Sequence, residues 1–333
     1  MAPAVTPPDM TPPVAAPEFL ARAGWAGAAI EPVAGDASFR RYFRVRRGSD
    51  TAILMDAPPP HEDPRPFLAV ARWLTDHGFA APAILGEDLA QGLVLLEDFG
   101  DRRMRETVDA AAEGEAELYG HAVDLLVELH QHAAAPVPPY DEAVYQREAG
   151  LFTEWYCPAV GLEVDGEGYR AAWAEVLAPV LAVDRAVTVL RDYHAENLML
   201  LAGRPVPLGL LDFQDALAGH AAYDLVSLLQ DARRDVPEAI EAAMLARYIE
   251  AAQPSDAFLP AYHVLGAQRN AKILGIFTRL WKRDGKPRYP ALCPRVWRYL
   301  ERDLAKPELA PVAAWFAANV PADRRGDPMV VGS

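Results

Sequence analysis

Between Val187 and Asp212 the chain gathers side chains whose types and spacing suit phosphoryl transfer. In Val187-Thr-Val-Leu-Arg-Asp-Tyr-His-Ala-Glu-Asn-Leu-Met-Leu-Leu201, apolar stretches flank a polar loop that carries Asp192, His194, Glu196 and Asn197. A Gly-Arg-Pro turn follows, and a second apolar strand, Leu208–Leu211, delivers Asp212. This order predicts a hairpin that brings Asp192, Asn197 and Asp212 to one end of a sheet. One carboxylate can orient an attacking hydroxyl and take its proton, while an amide oxygen and a second carboxylate hold Mg²⁺ on the phosphates of a nucleotide. Asp-x-x-x-x-Asn is a weak signal alone and gains force from its strand context and from Leu-Leu-Asp-Phe downstream. Asp224, at the opening of the next helix, reads as an N-cap that braces the loop.

These groups need elements to hold them. Residues 1–17 are Pro-rich without an apolar period and read as a tail; a short helix is expected at 18–23. Gly35-Asp-Ala-Ser38 is a turn, and Arg40–Arg46 alternates as a strand, with Phe43 and Val45 on one face and Tyr42 and Arg44 on the other. Arg47-Gly-Ser-Asp50 is a hairpin signal, followed by an apolar strand at Thr51–Met55. Phe67, Val70, Ala71 and Leu74 recur at helical spacing before Gly78, and Leu93–Leu96 forms another strand. After Gly100 the pattern is helical, at 115–130, 148–156, 169–181, 236–252, 262–281 and 293–304. The reading is an α+β chain with a tail at 1–17, a sheet-rich lobe at 18–97 and a larger helical lobe at 98–333.

Composition limits the partners. Half of the 333 residues are apolar and a quarter charged, which excludes a disordered or fibrous chain. A net charge of −15 argues against nucleic acid, which requires clustered Lys and Arg. Two cysteines, Cys157 and Cys293, are too few for a disulfide framework. No apolar run reaches the ~20 residues that span a bilayer, and the N-terminus lacks signal-peptide character. A cytoplasmic monomer is expected. The first lysine is Lys272, so no phosphate-gripping lysine precedes it. Gly-x-x-x-x-Gly-Lys-Ser/Thr and Gly-x-Gly-x-x-Gly are both absent, against a P-loop or dinucleotide-binding domain.

Leu190-Arg-Asp-Tyr-His-Ala-Glu-Asn197 resembles the Brenner motif of the aminoglycoside phosphotransferase/choline kinase superfamily, and Leu211-Asp-Phe-Gln-Asp215 its metal-binding segment. Gly35-Asp-Ala-Ser-Phe-Arg-Arg-Tyr-Phe-Arg44, Met55-Asp-Ala-Pro-Pro59, Leu96-Glu-Asp-Phe-Gly100 and Gln268-Arg-Asn-Ala-Lys-Ile-Leu-Gly-Ile-Phe277 resemble the anomeric amino-sugar kinases, which phosphorylate C1 of N-acetylmuramate and N-acetylglucosamine in peptidoglycan recycling. The resemblance implies a bilobal protein-kinase-like fold, ATP and Mg²⁺, and an amino-sugar acceptor. It makes Asp192 the base and gives Asn197 and Asp212 the metal, with Asp215 as a further carboxylate near it. It puts the turn with Ser38 over the phosphates and adenine on the backbone of Glu97–Phe99. The strand lysine of kinases is missing from Thr51–Asp56, so Arg40, Arg41 or Arg44 is expected to supply that charge.

Competing readings keep the fold with an aminoglycoside or other amino-alcohol as acceptor, or remove catalysis altogether and leave a nucleotide-binding protein, as the missing lysine would allow. A metal-dependent hydrolase lacks enough converging ligands. His194 and Glu196 read as loop braces or metal ligands. Arg269 and Lys272, on a late helix, could attract the lactyl carboxylate of N-acetylmuramate or form a solvated face. Trp155, Trp173, Trp281 and Trp297 read as helix core rather than a sugar-stacking platform. His130, His132 and His220 lack zinc-site spacing.

Overall fold

A computed structural model describes residues 10–33, 40–111, 113–182, 185–204 and 207–332. The turn containing Ser38 and the first nine residues of the tail lie outside them. The chain divides into two compact units, one of Thr6–Gly114 with Ala195–Ala216, the other of Glu115–His194 with Leu217–Ser333.

The first unit is built on a five-stranded antiparallel sheet of order β1-β2-β3-β5-β4, comprising β1 (Ala29–Val33), β2 (Arg41–Arg47), β3 (Asp50–Asp56), β4 (Ile84–Asp88) and β5 (Leu93–Glu97). Arg47 pairs with Asp50 across the expected two-residue turn, where Gly48 takes φ 62°. Helix α1 (Ala16–Arg22) starts two residues before the expected position, with a proline in its first turn, where no N–H is needed. Its Phe19 and Leu20 pack on Phe43 and Val45 of β2 and on Ala52, Leu54, Leu93 and Leu95, so the predicted apolar face of β2 is the core face. Tyr42 and Arg44 occupy the other face. Helix α2 (Arg65–Asp76) ends at His77, before Gly78 in the left-handed region.

The unit takes in more than residues 18–97. Beyond β5, Arg102 accepts a backbone hydrogen bond from Leu200 (2.8 Å), and Arg103 bridges to Met199 before α3 (Met104–Ala110). Ala80 accepts another from Leu210 (2.8 Å). These bonds tie 98–114 and the hairpin within 195–216 to the sheet, a non-local pairing that no sequence period announces.

The second unit is mainly helical: α4 (Glu115–Leu129), α5 (Glu142–Leu151), the short α6 (Cys157–Ala159), α7 (Gly166–Leu181), α8 (Ala222–Leu229), α9 (Glu238–Ala252), α10 (Phe258–Lys282), α11 (Cys293–Leu304), α12 (Ala310–Asn319) and α13 (Pro328–Val331). Helix α10 is buried nearly all round from Ala261 to Gly275, as a central helix must be, and carries Gln268, Arg269 and Asn270 inside. A Cβ on Gly275 would lie 2.3 Å from the carbonyl carbon of Leu151, so only glycine lets α10 approach the end of α5. There α5 passes into a π-helical turn, Phe152–Tyr156, whose Phe152 and Tyr156 rings stack 5.2 Å apart against Trp297. Trp173 and Trp297 are core residues, as expected.

Candidate active site

Two short ladders carry the polar loop, where the sequence suggested a single hairpin. In the helical unit β6 (Val187–Val189) pairs with β9 (Leu217–Gly219); in the sheet unit β7 (Leu198–Leu200) pairs with β8 (Leu208–Leu210). Asp192 leaves the first ladder, and Asn197 and Asp212 stand at the end of the second.

At the β7–β8 end, Leu211 N–H donates to Asn197 C=O (3.0 Å), extending the ladder so that the two side chains meet, Asn197 Nδ2 lying 3.4 Å from Asp212 Oδ2. Asp212 adopts φ 60°, a strained setting for a non-glycine residue. It is fixed on one side by Phe213, stacked 5.0 Å from Phe67 of α2, and on the other by Gln214, which donates to Oδ1 (2.8 Å). Asp212 and Asp215 are both exposed. Among the described residues no three His, Cys, Asp or Glu side chains converge on one point. One carboxylate beside one amide is the sparse donor set that Mg²⁺ accepts when phosphate and water oxygens complete its octahedron, so these residues fit that ion. Glu196 forms an ion pair with Arg105 of α3.

In the helical unit the start of the polar loop is held from behind. Asp224 is fully buried and accepts the N–H of Leu190 (2.6 Å) and of Arg191 (2.8 Å). It sits inside the first turn of α8 and not at its cap, which is Ala221: its carboxylate turns away from its own helix to serve the loop. Burial, helped by the charge of Asp192, lifts its pKa to about 7 against those two bonds. His194 is buried too, its Nε2 3.1 Å from Arg233 Nη1. Arg233 follows α8 in a turn where its N–H meets Asp231 Oδ1 (2.8 Å). The sequence reading missed Arg233; the paired arginines after an Asp-Ala step were its only signal.

Each strand arginine meets a carboxylate. Arg41 donates to Asp56 (2.8 Å), Arg44 to Asp98 and Asp101, and Arg40 to Glu62 (3.2 Å). Tyr42, hydrogen-bonded to Arg40 just before β2, has its pKa raised by burial and by the charge of Asp212. At the end of β5, Glu97 N–H is taken by Ala83 C=O (2.9 Å) and its carboxylate pairs with Arg204. Phe99 lies flat on β8, where a Cβ on Gly209 would come within 2.6 Å of its ring. Arg269 corrects one of the two sequence readings: it is not on a solvated face but buried, with Nη2 on Ser227 Oγ (2.7 Å). Lys272 is also turned inward, Nζ 3.0 Å from Glu148 and 3.2 Å from Tyr223 OH.

The model of the phosphotransferase enzyme family matches residues 29–265, from β1 into α10. The chain belongs to that family. It is 39% identical to the N-acetylmuramate/N-acetylglucosamine kinase of Caulobacter vibrioides, over 92% of this chain and 96% of the relative. It is 42% identical to the enzyme of that name from Pseudomonas aeruginosa, over 91% and 93%. Among solved structures it resembles a choline/ethanolamine kinase family protein from Mesorhizobium loti (TM-score 0.61, 15% identity, 91% and 97% covered). It also resembles an aminoglycoside-3'-phosphotransferase of type VIII (TM-score 0.52, 20% identity, 75% and 97% covered). The chain is thus an enzyme, a phosphotransferase with an alcohol group as acceptor, and the non-catalytic reading left open by the missing lysine is set aside. The α+β, kinase-like fold is as expected. Among the described residues no helix is long and apolar enough to cross a membrane.

Proposed function

We propose that the chain is an ATP-dependent kinase of amino sugars, transferring the terminal phosphoryl group to the anomeric hydroxyl of N-acetylmuramate or N-acetylglucosamine in cell-wall recycling. The observation that carries this reading is its likeness, over more than nine-tenths of the chain, to relatives that bear those substrates in their name. The intact Asp192, Asn197 and Asp212 support it. Asp192 aligns the hydroxyl and takes its proton as the oxygen–phosphorus bond forms and the bridging bond to ADP breaks. Asn197 and Asp212 would hold Mg²⁺, which supplies charge neutralisation on the phosphates; Asp215 would lie next to that site. Glu97–Phe99 offers backbone groups to adenine. Arg40, just before β2 and hydrogen-bonded to the Tyr42 that feels Asp212, replaces the absent lysine in gripping phosphate; Arg41 and Arg44 serve Asp56 and the Asp98–Asp101 turn. The enzyme works as a cytoplasmic monomer, without nucleic-acid or membrane partners.

An ADP-release assay across N-acetylmuramate, N-acetylglucosamine, glucose and kanamycin tests the proposal, with phosphorus NMR locating the new ester. Turnover on the N-acetyl sugars with an anomeric phosphate as product is expected. Preference for kanamycin, the acceptor class that the net charge of −15 would favour, would overturn it.

A further inference from the structure

We propose that Glu148 and Lys272 are positioning residues for the catalytic loop, acting through Arg191 to present Asp192; the inference rests on the reading of Asp192 as the base. Arg191 has φ 69°. A left-handed arginine is strained and persists only where its surroundings over-determine it. Here its N–H, its C=O and Nη2 of its guanidinium are all engaged. Its N–H donates to Asp224 on α8, and its C=O accepts from Ser227 Oγ (3.1 Å), which in turn accepts from Arg269 on α10. Its guanidinium donates to Glu148 on α5 and lies over the Tyr140 ring. Helices α5 and α8 therefore meet the residue immediately before Asp192, and α10 backs both through Lys272 and Arg269.

Glu148 is the hub. Buried at the end of α5, it receives the Arg191 guanidinium, Lys272 Nζ and the Tyr140 hydroxyl. Burial pushes its carboxyl up; Lys272 and Arg191 together overcome this and hold it below the ordinary range, so it stays an anion. A buried carboxylate needs such pairing, and losing one partner of a buried ionic set leaves the rest uncompensated. Lys272 thus acts on Asp192 at one remove: it keeps Glu148 charged, and Glu148 keeps Arg191 in place.

The test uses Lys272→Met, Lys272→Arg, Glu148→Gln, Arg191→Gly and Arg191→Ala in the full chain. Lys272→Met and Glu148→Gln are expected to lower kcat by up to about 100-fold, the scale of a misplaced reacting group. KM for nucleotide and sugar should change less than about twofold, and Lys272→Arg should restore most of the rate. Glycine takes φ 69° freely and alanine does not, so Arg191→Gly should keep more activity than Arg191→Ala. Hydrogen exchange without nucleotide should show faster Leu190 and Arg191 amides in Lys272→Met. If Glu148→Gln fails to fold, Lys272→Met and the Arg191 pair carry the test. Unchanged kcat in Lys272→Met, equal rates for the two Arg191 variants, or a rise in sugar KM alone would overturn the proposal, the last making Lys272 a substrate ligand. Asp192→Asn run in parallel separates the failures. If it keeps full turnover, the base assignment falls; if it is inactive while Lys272→Met is fully active, only the present inference falls.

Discussion

The loop before Asp192 and the β7–β8 end that carries Asp212 each turn on a strained, left-handed residue, yet they are built in opposite ways. Arg191 is enclosed: two backbone bonds from α8, an ion pair to α5 and the face of Tyr140 fix it. Asp212 is exposed, steadied by its neighbour Phe213 on Phe67 and by bonds from Gln214 and Asn197. The difference suits the roles proposed for Asp192 and Asp212. A base has one proton to take at one position and gains from rigidity; a carboxylate that shares a metal with phosphates and water must leave most of the coordination sphere open.

The contrast predicts opposite kinetic signatures. Asp192→Asn should lower turnover by about 10²–10⁴-fold, the worth of a positioned general base, with nucleotide affinity almost unchanged. Asp212→Asn should instead weaken Mg²⁺-dependent ADP binding, measured by calorimetry with and without the metal. If Asp212→Asn binds nucleotide normally while Asp192→Asn does not, the two roles have been exchanged.

Next in size is the strand cation. Arg40→Gln should weaken ADP binding by roughly tenfold, as the loss of a charge-assisted hydrogen bond to phosphate implies, while Arg41→Gln and Arg44→Gln should change it little. Equal losses from all three would show that β2 acts as a general positive field.

The smallest effect is on stability against pH, where the enclosed unit should stand apart. Asp224 and Asp303 are raised by burial to about 7 and about 8, so the folded state holds protons that the unfolded state releases from about pH 4 upward. They reduce stability as pH rises through that window. Buried His130 and His220, lowered to about 3 and about 4, act in the opposite sense below pH 6.5. The two pairs oppose each other between pH 4 and 6.5, and only the carboxylates act above it. The thermal midpoint should therefore fall between pH 6.5 and 8, less steeply in Asp303→Asn; a midpoint that rises there would contradict the burial argument.

Much of this was legible in the residues. Alternation gave the two faces of β2, Arg47–Asp50 gave the turn, and Asp192, Asn197 and Asp212 stood out by type and spacing. What escaped has a common cause. Glu148 lies 43 positions before Arg191 on an ordinary amphipathic helix, and Arg269 and Lys272 look like a solvated stripe, because buried ionic partners are chosen by tertiary approach and leave no local period. The split into two ladders escaped for the same reason, since β6 and β9 enclose in sequence the hairpin that pairs with the other unit.

The backbone passes from one compact unit to the other after Gly114, after His194 and after Ala216. Neither unit is a contiguous stretch of gene, so a recombination event that swapped the amino-terminal hundred codons would strand Ala80 and Arg102 without their partners on the hairpin. Such an architecture diversifies by point substitution around a fixed scaffold more readily than by exchange of modules, and the middle crossing falls inside the polar loop itself, where an insertion would separate Asp192 from Asn197.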